Sequence, residues 1–223
     1  MTEGDICCAQ GVLETMLEDR LTQELRETYE ELHRQEEILT RERLKSCYEL
    51  FRSRFGPEVL ANLDGEDLLN LMHAHGTRDS LVYWLEFKDD EEMPAHFGSI
   101  AGGSALKFGI YRNRDTGAWM TGSALSQQEI TLEEAIEKAR VHRNELLAGA
   151  KLLDSLAPDG TDEDYRALQD TMKTAAPTVG DTSWGHKYFS MLYPEKLLSL
   201  WHECYSAGIV VGECIRRLVN RQN

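Results

Sequence analysis

The prolines of this chain stand at Pro57, Pro94, Pro158, Pro177 and Pro194, and each falls where one residue pattern stops and another begins. Proline has no amide proton for a helix and disfavours helical geometry in the residue before it, so these positions cut the chain into segments. From Val12 to Phe55 there is neither proline nor glycine, and Glu, Arg, Leu and Gln dominate. That is helix chemistry, and Gly56-Pro57 ends it. Within the run, Leu17, Leu21, Leu25, Thr28, Leu32, Gln35 and Leu39 step by three and four, a narrow seam with polar breaks. The seam suits either a coiled-coil arm through which copies associate or a long charged helix with a solvated acidic face.

After Pro57 the pattern changes twice. A short helix is expected from Asp64 to His75. SLVYWLEFK, Ser80 to Lys88, is rich in β-branched and aromatic residues and predicts a strand, with Lys88 to Glu92 as a solvated turn closed by Pro94. Leu106, Phe108 and Ile110 alternate with Lys107, Gly109 and Tyr111, the period of a strand with one apolar face. Asn113 to Gly117 supplies turn chemistry, and GAWMTG, Gly117 to Gly122, continues an antiparallel meander.

Helices return after Ile130. Thr131 and Glu134 have capping-box spacing, and Leu132, Ile136, Ala139, Leu146, Ala150 and Leu153 mark a helix ending before Ala157-Pro158. A second is expected from Thr161, with Tyr165, Leu168, Met172 and Ala175 on one face, and a third from Ser183 to Tyr193. Helices, then strands, then helices define an α+β fold: a small antiparallel meander packed with several helices and preceded by a long N-terminal helix. The expected boundaries are a charged helical arm over 1–55, an α+β recognition domain over 56–197 and a helical tail over 198–223.

The formal net charge of -15 excludes a broadly basic surface, so any contact with nucleic acid has to be local. Five cysteines without C-x-x-C spacing suggest neither a zinc site nor a disulfide framework. No apolar stretch approaches a membrane span, and MTEGDICCAQ carries acid where a secretory signal carries base, so a reduced cytoplasmic protein is expected.

The glycine-rich stretch FGSIAGGSALKFGIYR, Phe97 to Arg112, raises three chemistries. A P-loop needs lysine after its second glycine, but Ser104 follows Gly103. The nucleophile elbow needs glycine two residues past the serine, where Leu106 stands. There remain a tight β connection through Gly98, Gly102 and Gly103, or an anion held by turn amides. Glu86-Phe87-Lys88 matches the end of a magnesium-nuclease pattern, with Asp67 or Asp79 as the earlier carboxylate; an exposed strand end is the plainer reading. His73 and His75 are two apart and do not converge on a metal. No catalytic residue, metal or cofactor is assigned.

Lys107, Arg112 and Arg114 form a locally basic strip beside Tyr111 and Trp119, and SWGHKYFSMLY sets Trp184, His186 and Lys187 together. Cations interleaved with rings can neutralise phosphates and stack on bases, although large aromatics more often belong to the core.

Taken together, SLVYWLEFK, FGSIAGGSALKFGIYR with GAWMTG, and SWGHKYFSMLYPEKL resemble the region preceding the ATPase module in McrB-like AAA+ subunits of modification-dependent (type IV) restriction systems. The resemblance covers about Leu44 to Leu197. It implies a recognition domain that contacts DNA, often at a modified base, while the AAA+ ring hydrolyses nucleotide and a separate nuclease subunit cuts. Because no Walker lysine is present, an ATPase module or nuclease subunit would act in trans.

The expected function is therefore a non-enzymatic DNA-recognition module using Lys107, Tyr111, Arg112, Arg114, Trp119, Trp184, His186 and Lys187. An interaction or oligomerisation adaptor and a magnesium nuclease using Glu86 and Lys88 are the alternatives.

Overall fold

The computed structural model describes residues 20, 22–24, 26–28, 30–32, 34–35, 40–91, 100, 105–123, 125–157 and 160–197. The chain divides into two compact units, Met1–Ser46 and Cys47–Asn223. The Gly98, Gly102, Gly103 and Ser104 turn, Pro94 and the 198–223 tail lie outside the described residues.

In the first unit the described residues from 20 to 34 are helical and mostly exposed. Local pairs such as Arg20 with Glu24 at 2.8 Å and Gln23 with Glu27 at 2.7 Å support that helix along its surface. The expected single helix to Phe55 is corrected here: Gln35 lies in a turn and Thr40 is not helical. The Thr40 hydroxyl instead accepts from the Arg43 amide at 3.1 Å and starts a new helix, α1, Arg41–Phe55. Of the expected seam, Thr28 and Gln35 are exposed and Leu32 is half-buried, while Leu17, Leu21, Leu25 and Leu39 lie outside the described residues.

The second unit is α+β. It continues with α2 (Pro57–Ala61), α3 (Gly65–His73), α4 (Leu81–Glu91), a 3-10 turn (Ala105–Phe108), β1 (Ile110–Arg112), β2 (Trp119–Ser123), β3 (Ser126–Ile130), α5 (Leu132–Ser155), α6 (Asp162–Ala175) and α7 (Ser183–Leu192). The strands form one antiparallel sheet in the order β1-β2-β3. The meander is present but shifted along the chain. SLVYWLEFK is α4, not a strand, and the turn expected over 88–91 is its continuation. Leu81, Val82, Trp84, Leu85 and Glu86 are all buried, and a helix covered on most sides has no polar stripe to announce it. Its start is set by Ser80, whose hydroxyl accepts from the Tyr83 amide at 3.3 Å. The alternation from Leu106 to Ile110 likewise resolves into the 3-10 turn, with pairing beginning at Ile110.

Two capping boxes fix the later helices, Thr131 with Glu134 on α5 and Thr161 with Asp164 on α6. The core joins α1, α4, α5 and α7. Phe51, Phe55, Trp84 and Tyr188 stack there with ring centroids 5.3 to 6.4 Å apart, and Tyr188 donates to the Phe55 carbonyl at 2.9 Å. At Gly149 any side chain would enter the Phe189 ring, so glycine sets how closely α7 approaches α5. Among the described residues no helix is long and apolar enough to cross a membrane.

Candidate functional site

The C-terminal end of α3, the middle of α5, the start of α7 and the 3-10 turn converge beside the sheet. At that meeting point His73 is fully buried and His142 is 8% exposed. His142 Nδ1 and His73 Nε2 are 3.2 Å apart, one donating and the other accepting according to tautomer. Trp184, itself 1% exposed, closes over both rings at centroid distances of 6.1 and 5.6 Å. Gly109 passes beside His142 with φ +76, and a Cβ there would sit 3.2 Å from His142 Cε1. Burial holds the His73 imidazole well below its ordinary range, reinforced by the neighbouring His142 and His75. It lowers His142 to about 4, with the Lys138 charge adding to the effect. Both rings are therefore neutral near pH 7.

Next to this pair, Lys107 donates to Glu86 Oε1 and to the Ile100 carbonyl, each at 2.6 Å. His75 Nε2 lies 3.8 Å from Glu86 Oε2, and its ring meets Phe108 at 5.2 Å. Burial also lowers the His75 pKa, opposed by the Glu86 charge. The Glu86 carboxylate is thus engaged by a lysine from a distant segment. Glu86 and Lys88 lie within α4 and not at the end of a strand. Among the described residues no set of three His, Cys, Asp or Glu side chains could hold a metal ion.

The expected nucleic-acid residues separate into two groups. Lys107 is half-buried in its ion pair with Glu86, Trp184 and Lys187 are 1% and 3% exposed, and His186 is half-buried with its pKa lowered by burial. Trp184 and Lys187 offer no open face for base stacking or phosphate contact. The others sit on the β1-β2 hairpin. Strand alternation sends Tyr111 to one face, where it faces Met120 and its hydroxyl donates to Gln127. Arg112 takes the other face opposite Trp119, which is 7% exposed. The exposed Arg112 donates from Nε to the Gly117 carbonyl at 2.8 Å and lies 6.0 Å over the Trp119 ring. Arg114 is exposed in the connecting turn, which Asn113 shapes by accepting the Asp115 and Thr116 amides on Oδ1.

The His73 and His142 pair is absent from the expected site residues. Its one trace in the sequence is that His142 falls three after Ala139 and four before Leu146, on the core stripe of α5. No protein-family model, curated protein or solved structure matches the chain.

Proposed function

We propose that the chain is a non-enzymatic recognition module that contacts DNA, of the kind the McrB-like resemblance implies, through the β1-β2 hairpin. The observation that supports this most directly is Arg112. Its guanidinium is held by Gly117 and Trp119 while the side chain stays exposed, and Arg114 is exposed on the adjoining turn. An arginine ordered before binding loses less freedom when it meets a phosphate. A second support is that the three segments carrying the resemblance meet in space. Glu86 pairs with Lys107, and Phe108 lies 6.0 Å from Trp184. A modified base is the target class, and an ATPase or nuclease subunit in trans is the partner class.

A specific observation also favours the adaptor. Lys187 is buried and Lys107 is paired with Glu86, so two of the expected cations are withdrawn from the surface of a chain with net charge -15. Fluorescence anisotropy with modified and unmodified duplexes over a salt series separates the readings. Recognition predicts binding at low salt, with a log-log salt slope that falls by about 0.9 for each phosphate left unneutralised in Arg112→Ala and Arg114→Ala. Negligible affinity for every duplex at low salt would reject recognition in favour of the adaptor.

A further inference from the structure

The geometry points to the His73 and His142 pair as an acid-sensitive latch between α3 and α5, so that proton uptake at the pair loosens the seat of the 3-10 turn and hairpin. This stands independently of DNA recognition. The two helices are also tied at the surface, where Arg140 reaches Asp64 at 2.7 and 3.1 Å and Arg143 donates to the Leu63 carbonyl at 2.7 Å. In the interior, a hydrogen bond joins them imidazole to imidazole.

A charged imidazole donates from both nitrogens. His73 Nδ1 is buried and has no hydrogen-bond partner, so a proton on His73 would leave an N–H⁺ with no acceptor. A proton on His142 would lie between His73, Trp184 and the Gly109 backbone. Among the described residues, the neighbouring elements place no carboxylate on the pair. His75 follows α3, and the α4 carboxylate, Glu86, is engaged by Lys107 of the 3-10 turn. On α5 itself Lys138 is cationic, and Glu145 Oε2 accepts the Thr178 and Val179 amides at 2.8 and 2.9 Å. From α7 come Trp184, the half-buried His186 and the buried Lys187. β1 and β2 bring the buried Ile110 and Thr121, the buried residue of α2 is Leu60, and α6 sets Met172 against Gly149. Among the described residues no carboxylate bonds to either ring.

The sign follows from the lowered values. The unfolded chain takes up these protons near pH 6.5, whereas in the folded chain His142 does so near pH 4 and His73 is held well below its ordinary range, so stability is complete above pH 6.5 and declines as pH falls. Between pH 6.5 and about 4 His142 alone raises the unfolding constant by about tenfold per pH unit, and His73 acts in the same direction.

The test is urea unfolding of the full chain at successive pH values, together with ¹⁵N imidazole shifts. His73→Gln and His142→Asn keep a neutral amide nitrogen near the original Nε2 and Nδ1 at every pH. The wild type is expected to show both rings neutral at pH 5.5 and an unfolding constant that rises on acidification. The double variant is expected to lose that share of the slope. Titration of either ring near pH 6.5 with the fold intact, or an unchanged slope in the double variant, would overturn the latch. If the double variant does not fold, the wild-type imidazole shifts decide the matter.

Discussion

The 3-10 turn and the β1-β2 hairpin receive cations from one short stretch of chain and place them in opposite surroundings. Lys107 turns inward to Glu86 and the Ile100 carbonyl, with side-chain exposures of 16% and 8% for the lysine and the carboxylate. Arg112 remains outside, held by one backbone carbonyl and a tryptophan ring. What differs is what the distant chain delivers to each. α4 brings a carboxylate to Lys107, whereas Arg112 keeps its charge available. An inward pair fixes how elements pack, and losing one member leaves a buried charge unmatched. An outward cation costs the fold little and can serve a polyanion.

Replacing Trp184 with alanine should test the inward side most severely. Its ring packs on His73, His142 and Phe108, and truncating a buried tryptophan costs about 3 to 5 kcal/mol. Urea unfolding should show that loss. A Trp184→Ala protein with a wild-type midpoint and weakened duplex binding would place this ring functionally with the hairpin, and the division would fail. A smaller effect is expected at the ion pair, where Glu86→Gln or Lys107→Met should each cost about 3 kcal/mol by stranding the remaining group. The double substitution should cost less than the sum, because neither charge is then left unmatched. Strictly additive losses would mean that the pair is not what holds the 3-10 turn against α4.

Local physics is readable from the sequence and long-range pairing is not. The capping boxes at Thr131 and Thr161 act within three residues, so spacing alone announces α5 and α6. The same holds for the Asn113 turn. α4 reads as a strand because its neighbours cover it on most sides, removing the polar stripe that separates a helix from a strand. β3 leaves no such signal, because Ser126 to Ile130 holds a single apolar residue and is a strand by virtue of pairing with β2. In the site, Arg112 and Arg114 are exposed. His73 with His142 and Glu86 with Lys107 are partners from separate elements, and no spacing within one segment encodes such a meeting.

The smallest expected effect is the sharpest check on the outward side. Arg112→Ala removes one hydrogen bond to Gly117 and an exposed contact with Trp119, which together should change stability by no more than about 0.5 kcal/mol. Arg112→Lys retains the charge but not the planar stack, so its duplex affinity should fall between those of the wild type and the alanine variant. Equal affinities for Arg112→Lys and the wild type would assign the contact to charge alone. A stability loss of about 2 kcal/mol or more for Arg112→Ala would instead make the guanidinium part of the hairpin's own packing, and the contrast with Lys107 would disappear.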